Sequence, residues 1–218
     1  MKDFKVIEVK RSIFEDNNAD ADRLREQLKS EGTFLLNLMS SPGAGKTTTL
    51  KRTINMLKDE INIGVMEADI DSDVDAQAIT DTGVRAIQIH TGGMCHLDAD
   101  MTRQGTKDLD LVFLENVGNL VCPAEFDTGS TKNAMILSVP EGDDKPLKYP
   151  LMFTISDVVL INKCDTLSVF DDFSKKDVEE RIHNLNPNAN VFFVSAKTGE
   201  GFEQWTDWLK NELKIYSK

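Results

Sequence analysis

The chain has 218 residues and a formal net charge of −12, because 25 Lys and Arg residues face 37 Asp and Glu residues. This length suits one large domain or two small ones, with a core that needs no disulfides. The acidic balance argues against a general nucleic-acid-binding protein, which needs a basic surface to displace counterions from phosphate.

The sequence shows no feature of a membrane or exported protein. No apolar run approaches the roughly 20 residues of a membrane span, and residues 1–11 lack the apolar core of a signal peptide. The three cysteines, Cys95, Cys122 and Cys164, are an odd number and are expected to be reduced thiols that bind metal or pack in the core. We therefore expect a cytoplasmic globular protein with no nucleic-acid or membrane partner.

Helical and extended patterns alternate along the chain and predict an α/β fold. An N-terminal helix is predicted over residues 16–30, where Leu24 and Leu28 lie four residues apart among charged residues. Strands are predicted over residues 34–39, 63–67, 86–89, 111–115, 134–139, 158–162 and 191–195. Further helices are predicted over residues 47–60, 74–82, 97–107, 174–184 and 202–213.

This order predicts a mostly parallel sheet of about seven strands with helices on both faces. In such sheets ligands bind at the carboxyl ends of the strands, so functional motifs are expected there.

A phosphate-binding motif follows the first predicted strand. Residues 40–47 match the spacing G-x-x-x-x-G-K-[ST], except that Ser40 replaces the first glycine. Lys46 is expected to face the β- and γ-phosphates, and the hydroxyl of Thr47 to ligate Mg²⁺. The residues expected to contact the nucleotide here are Gly43, Ala44, Gly45, Lys46, Thr47 and Thr48. We therefore predict a P-loop NTPase fold rather than an ordinary glycine-rich turn.

Two later motifs favour guanine over adenine. Residues 162–165, Asn-Lys-Cys-Asp, resemble the N-K-x-D base-specificity motif of GTPases. Asp165 can accept hydrogen bonds from the N1–H and the amine of guanine, whereas adenine would leave this desolvated carboxylate unpaired. By the same resemblance, the stem of Lys163 packs along the base, and Asn162 braces the phosphate loop.

The second of these motifs follows the last predicted strand. Ser195, Ala196 and Lys197 resemble the companion S-A-K motif, whose backbone N–H meets the guanine O6. Cys164 fills the free position of the first motif and is expected to pack. Together the two motifs predict GTP as the substrate.

Acidic residues follow the second predicted strand. Five carboxylates lie within nine residues: Glu67, Asp69, Asp71, Asp73 and Asp75. Most are expected to be solvated. Asp69, nearest the strand end, is expected to approach Mg²⁺ or the attacking water, with Asp75 as the second choice.

Another acidic residue ends the strand predicted over residues 111–115. Glu115 starts the pattern Glu-x-x-Gly, where small GTPases carry Asp-x-x-Gly. Glu115 is expected to coordinate Mg²⁺, directly or through water, while the N–H of Gly118 contacts the γ-phosphate. Because no glutamine follows Gly118, slow intrinsic hydrolysis is expected, with Lys46, Asp69 and Glu115 as the catalytic residues.

Cysteine and histidine residues on two predicted loops form a candidate metal site. Cys95, His96 and Cys122 offer two thiolates and an imidazole, which suit Ni²⁺ or Zn²⁺. Cys122 follows the Glu-x-x-Gly pattern closely, so metal and nucleotide binding would be coupled. A second subunit could supply further ligands; alternatively, both cysteines are buried thiols and His96 lies on the surface. His90 and His183 are expected to be structural.

These motifs together resemble the HypB family of nickel-incorporation GTPases. The resemblance covers nearly all of residues 34–213 and is carried by residues 41–47, 95–99, 115–123, 141–146 and 162–165. The related urease-maturation GTPases are expected to show Cys-Pro-His, whereas Leu97 and Asp98 follow His96 here.

The resemblance implies a GTP-dependent homodimer that helps to insert nickel into [NiFe] hydrogenase. The implied partners are a second nickel-binding maturation protein and the precursor of the hydrogenase large subunit. The implied metal ligands, at or near the dimer interface, are Cys95, His96 and Cys122. Residues 1–33 contain no Cys or His, so a high-affinity N-terminal nickel site is not expected.

Other functions fit parts of the pattern. The chain could be a metal buffer or scaffold with incidental GTPase activity, or a chaperone GTPase for another metallocofactor, with urease the closest variant. A small-molecule kinase would need an acceptor site and typically no guanine motif. We expect residues 1–32 to form a helical extension and residues 33–218 to form the P-loop GTPase domain.

Overall fold

A single parallel sheet organises the chain. The computed structural model describes residues 9–69, 79–90, 99 and 108–217, with side chains for residues 17–67, 79–87, 99 and 108–217. The strands of these described residues are β1 (Phe34–Ser40), β2 (Ile63–Asp69), β3 (Arg85–His90), β4 (Leu111–Glu115), β5 (Lys132–Ser138), β6 (Val158–Asn162) and β7 (Asn190–Phe193). These seven strands lie in the order β3-β2-β4-β1-β5-β6-β7. All six neighbouring pairs are parallel, which confirms the predicted architecture.

The helices of the described residues connect and cover these strands. They are α1 (Val9–Glu31), α2 (Lys46–Leu57), α3 (Cys122–Glu125), α4 (Lys145–Lys148), α5 (Pro150–Thr154), α6 (Lys175–Leu185) and α7 (Phe202–Tyr216), with 3₁₀ turns at Val139–Glu141 and Cys164–Thr166. Of the helix predicted over residues 74–82, only residues 79–82 are described; 79 and 80 are helical and a turn follows. Of the helix predicted over residues 97–107, only residue 99 is described.

All seven predicted strands are present, with bounds that differ by at most two residues. The last strand ends at Phe193 instead of residue 195, because the N–H of Ser195 turns to the carbonyl of Glu200 at 2.9 Å. The fifth ends at Ser138 instead of residue 139, because Val139 begins a 3₁₀ turn.

The predicted helix bounds need larger corrections. The helix predicted to end at residue 60 ends at Leu57, because the N–H of Glu60 turns back to the carbonyl of Leu57 at 3.0 Å. Helix α7 continues to Tyr216, whose ring packs edge-on against Phe34 at a centroid distance of 5.4 Å. Helix α1 begins at Val9 rather than residue 16, well before the leucine spacing on which its prediction depended.

The short helices α3, α4 and α5 were not predicted. Each carries a proline at its first or second position. Proline suits the first turn of a helix, where its missing N–H has no partner to lose. This signal was in the sequence, but four or five residues show too little periodicity to be recognised.

Each face of the sheet is covered by an apolar layer. On one face, α2 and α7 pack around Trp205, which is 1% exposed and donates from Nε1 to the hydroxyl of Thr53 at 2.9 Å. On the other face, a cluster that includes Met39 and Phe153 lies beneath α5 and α6. β1 is buried along its whole length between β4 and β5, so the loop that follows it starts at the centre of the sheet.

Helix α1 packs on the same face as α5 and α6. Leu24 and Leu28 are fully buried in a cluster with Leu35 and Val112 of the sheet. Gly129 has a φ of +75°, and a Cβ there would lie 2.8 Å from Leu24 Cδ2, so the loop after α3 fits closely around this helix. Whether residues 1–32 form a separate extension stays a prediction.

Among the described residues, no helix has both the length and the apolar character needed to cross a membrane.

Replacing Leu24 with alanine is expected to lower the free energy of unfolding by about 2–5 kcal/mol, because it removes buried methyl groups and leaves a cavity. Urea unfolding followed by circular dichroism measures this change. Leu147→Ala is the matched control, since Leu147 is 65% exposed and should change the free energy by less than about 0.5 kcal/mol. Equal, small effects of both substitutions would contradict the packing of α1.

Candidate nucleotide-binding site

The phosphate loop connects β1 to α2 in a conformation that requires glycine. Gly43 and Gly45 have φ angles of +77° and +93°, which side-chain-bearing residues rarely adopt. A Cβ at Gly45 would lie 2.5 Å from the Nδ2 of Asn162. The loop thus presents backbone to the space before α2, where helix N–H groups favour an anion. Thr48, also predicted to contact the nucleotide, lies in the first turn of α2.

A carboxylate lies next to the two polar residues that begin α2. Oε1 of Glu115 is 3.7 Å from the Nζ of Lys46 and 3.2 Å from the Oγ1 of Thr47, which donates to it. Glu115 is 5% exposed, and its neighbour in the β2–β4 register, Glu67, is 3% exposed. The structure therefore brings Lys46, Thr47 and Glu115 together, with a second buried carboxylate beside them.

Gly118 lies directly against the phosphate loop. A Cβ at this position would be 3.3 Å from both the N and the Cγ of Pro42, which is closer than ordinary van der Waals contact. The segment that follows β4 therefore reaches the same edge of the sheet as Lys46.

The amide of Asn162 joins the phosphate loop to the segment after β7. Its Nδ2 donates to the carbonyl of Ala44 at 2.9 Å, and its Oδ1 accepts from the N–H of Ala196 at 3.1 Å. Lys163, with a φ of +59°, extends over the loop and donates to the carbonyl of Gly43 at 2.7 Å. Strand ends β1, β6 and β7 are thus linked through one buried side chain.

A pocket opens beside these residues. Its volume is about 290 Å³, and its lining residues are Gly45, Thr48, Asn162, Lys163, Asp165, Thr166, Ala196 and Lys197. Asp165 is held at the pocket by the hydroxyl of Ser195, which donates to its Oδ1 at 2.7 Å. That hydroxyl also accepts from the N–H of Thr198 at 3.1 Å, so both partners are fixed in place.

The chain that carries this site matches a family of nucleotide-binding domains. The family model described as the CobW/HypB/UreG nucleotide-binding domain matches residues 34–193. The hydrogenase maturation factor HypB of Rhizobium leguminosarum bv. viciae is 45% identical over 215 residues, which cover 96% of this chain and 72% of that protein. The chain belongs to the HypB family of hydrogenase maturation factors.

Another HypB relative and a solved structure extend the comparison. The hydrogenase/urease maturation factor HypB of Helicobacter hepaticus is 41% identical over 217 residues, covering 95% of this chain and 88% of that protein. The crystal structure of HypB from Helicobacter pylori in complex with nickel matches with a TM-score of 0.86 at 38% identity, covering 93% of this chain and 97% of that chain. These HypB matches confirm the predicted P-loop fold.

The metal ligands implied by the HypB resemblance are only partly described. Cys95 and His96 lie outside the described residues, as does Asp75, and Asp69 is described only as the last backbone residue of β2. Cys122 begins α3, where its N–H donates to the Oδ1 of Asn119 at 3.2 Å. Within the ranges that the structure describes, no three His, Cys, Asp or Glu residues are grouped so as to hold a metal ion.

Two further residues hold the phosphate loop and the pocket in place, and neither was predicted to do so. Glu141 accepts from the hydroxyl of Ser41 and from the N–H and hydroxyl of Ser138, the latter two at 2.8 and 2.7 Å. Arg52 donates to the carbonyls of Ala196 at 2.8 Å and Lys197 at 3.2 Å. The Ser-x-x-Glu spacing of a capping box could have indicated Glu141, whereas no local pattern indicates Arg52.

Cys164 is 5% exposed, and the pKa of its thiol is raised to about 11, first by burial and then by the negative charge of Glu200. The thiol therefore stays protonated in the folded protein at neutral pH. Because the unfolded chain ionises this thiol at a lower pH than the folded protein does, Cys164 lowers the free energy of unfolding as the pH rises from the ordinary thiol pKa towards 11, and has no such effect below that range. His183, which is predicted to be structural, has its Nε2 3.1 Å from the carbonyl oxygen of Ala189.

We expect iodoacetamide to label Cys164 at pH 8 about a hundredfold more slowly in the folded protein than in urea, because the thiolate is the reactive form. Peptide mass spectrometry after timed quenching measures this rate separately for each cysteine. Equal rates for Cys164 in the folded and unfolded protein would contradict the raised pKa.

Proposed function

We propose that this HypB-family chain binds GTP, hydrolyses it slowly and, as a GTP-dependent homodimer, delivers nickel during [NiFe] hydrogenase maturation. The observation that carries the GTP part is the pocket in which Asp165 lies beside the phosphate loop. Phosphate contacts and a base-reading carboxylate at one edge of the sheet are what a guanine nucleotide requires.

The hydrogen bonds around the pocket support a role in reading the edge of the base. Ser195 holds Asp165 through one carboxylate oxygen, and the backbone of Ala196 is fixed by Asn162 and Arg52. Asp165 would accept from the N1–H and the amine of guanine, and the backbone after Ser195 would meet the guanine O6. Lys163 would lie along the base. Adenine lacks the amine and offers an acceptor at N1, so it would leave the carboxylate without partners.

The residues around Lys46 fit a bound Mg²⁺. Thr47 and Glu115 supply oxygen atoms 3.2 Å apart, and oxygen is the ligand type that this cation prefers. When bound, Mg²⁺ would neutralise charge on the β- and γ-phosphate oxygens. Lys46 would stabilise the same charge from the start of α2. Asp69, or Asp75 in its place, would hold the attacking water or the cation.

Slow hydrolysis follows from the side chain after Gly118. In this position Asn119 accepts from the N–H groups of Val121 at 2.7 Å and Cys122 at 3.2 Å. An amide engaged in this local turn is not available to orient an attacking water. Turnover would therefore depend on positioning completed by a partner.

The same turn supports coupling of nucleotide to nickel, which is cargo rather than a resident cofactor. Cys122 is four residues beyond Gly118 and is bonded to Asn119, so movement of Gly118 against the γ-phosphate would move the thiolate. Cys95, His96 and Cys122 would bind Ni²⁺, with Zn²⁺ as the competing ion. The nickel complex of the Helicobacter pylori relative supports this cargo.

The partners that follow from the family are a second nickel-binding maturation protein and the precursor of the hydrogenase large subunit. A second candidate cargo recipient is urease, which is favoured by the hydrogenase/urease designation of the Helicobacter hepaticus relative.

Asp165→Asn is expected to weaken GTP binding by about a hundredfold or more, because an amide at this position cannot accept both guanine donors. Binding of xanthosine triphosphate should improve, since xanthine presents a carbonyl where guanine presents an amine. Fluorescent nucleotide titration measures both affinities, with Asp207→Asn on α7 as the control. Unchanged selectivity would exclude Asp165 as the base-reading residue.

Nickel content and molar mass, measured together, test the delivery part of the proposal. The protein is incubated with Ni²⁺ and either GDP or a non-hydrolysable GTP analogue, then analysed by size exclusion with light scattering. We expect a dimer with the analogue and nickel that is lost in Cys95→Ala but kept in Cys164→Ala, a matched cysteine control. A monomer with both nucleotides, or nickel content independent of Cys95, would contradict nickel delivery by a GTP-driven dimer.

A further inference from the structure

Three asparagine amides form a hydrogen-bonded row that runs from the end of β4 across β1 to β5. Asn116 follows β4, Asn37 lies in β1 and Asn133 lies in β5. The Nδ2 of Asn116 donates to the Oδ1 of Asn37 at 3.1 Å, and the Nδ2 of Asn37 donates to the Oδ1 of Asn133 at 3.0 Å. Asn116 and Asn37 are 0% and 2% exposed, so water does not compete for the bond between them.

The direction of this asparagine row is set at both ends. At one end the N–H of Val117, which can only donate, bonds to the Oδ1 of Asn116 at 2.9 Å. At the other end the carbonyl of Ile155, which can only accept, bonds to the Nδ2 of Asn133 at 3.3 Å. None of the three amides can therefore turn over without losing a bond.

Asn37, the central residue of the row, occupies a buried position where an apolar side chain would be expected. Leu35 and Met39, two residues before and after Asn37 on the same face of β1, belong to two separate apolar clusters. Placing amides between these clusters costs free energy unless every polar group is bonded. Unlike leucine side chains, the amides make directional hydrogen bonds, so each amide fixes the orientation of the next one in the row.

The fixed end of the row is the segment that reaches the phosphate loop. Val117, whose N–H is held by Asn116, is followed by Gly118, and Gly118 lies against Pro42. The N–H of Asn116 is itself bonded to the carbonyl of Leu38 in β1 at 3.0 Å. Rotation of the Asn116 amide would therefore move the Asn116–Val117 peptide, which lies one peptide before the N–H of Gly118.

We propose that Asn37, acting through Asn116, is a positioning residue that holds Gly118 for the γ-phosphate and thereby sets the preference for GTP over GDP. This inference rests on the proposed contact between the Gly118 N–H and the γ-phosphate. Loss of the row would leave the α- and β-phosphate contacts of the phosphate loop in place.

The test compares dissociation constants for GDP and a non-hydrolysable GTP analogue, both with Mg²⁺, in Asn37→Leu. The GDP-to-analogue ratio is expected to fall about tenfold through weaker analogue binding, while GDP binding is retained, because GDP has no γ-phosphate. Thr206→Val is the matched control: Thr206 is 4% exposed, lies in α7 outside the phosphate loop and the asparagine row, and donates to the carbonyl of Phe202. It removes a buried hydrogen bond and should leave the ratio unchanged.

An unchanged ratio of the two dissociation constants would overturn the proposal, even if both nucleotides bind more weakly, since a purely structural role affects both alike. Gly118→Ala distinguishes a failure of the proposed role of Asn37 from a failure of the proposed contact between Gly118 and the γ-phosphate. If it lowers the ratio while Asn37→Leu does not, the role of Asn37 is wrong and the γ-phosphate contact stands. If Gly118→Ala also leaves the ratio unchanged, the contact itself is wrong and the inference falls with it.

Asn133→Leu provides a second variant should Asn37→Leu not fold, because Asn133 is only half-buried. It removes the acceptor of Asn37 without changing Asn37 or Asn116. We expect a smaller fall of the same ratio, and an unchanged ratio in a folded Asn133→Leu would overturn the proposal.

Discussion

The parallel pairing of β1 with β4 on one side and β5 on the other is the constraint on which the site depends. Parallel strands all end at one edge, so the segments after these three strands must meet there. The phosphate loop, Glu115 with Gly118, and Ser138 with Glu141 are brought together in this way. Because β1 is buried on both faces and hydrogen-bonded on both sides, its position cannot change without disrupting the core.

Polar side chains then join the strand ends to one another. Asn162 connects the phosphate loop to the backbone of Ala196, Glu141 connects Ser41 to Ser138, and the asparagine row connects Val117 to β5. Each link is buried or half-buried, where an amide or carboxylate bond is strong and an unpaired group is costly. The phosphate loop is therefore held on two sides, by Asn162 and by Glu141. Side chains that fix a binding loop in this way preorganise it for its ligand.

Helix α1 adds a different kind of support. Leu24 packs against Gly129, while Arg25 forms an ion pair with Asp127 and donates to the carbonyl of Ser130 at 3.1 Å. Ser130 in turn donates from its hydroxyl to the Oδ1 of Asn133 at 3.1 Å. The N-terminal helix thus contacts the loop that precedes β5, next to the asparagine row.

The sequence by itself determined the sheet, its strands and the motifs that make a P-loop site. Apolar runs predict buried strands, and glycine positions such as Gly45 report a backbone conformation that few other residues adopt. The sequence did not predict the short helices that contain Cys122 and Pro146, because four residues show too little periodicity. It also did not give the exact ends of the long helices, which depend on local turns such as the one at Glu60. Only the tertiary structure decided the partners of Arg52 and Asn37 and the bond of Glu141 to Ser41, since those contacts join residues far apart in the chain. A buried amide in a strand shows no pattern that separates it from a packing residue until its partners are seen.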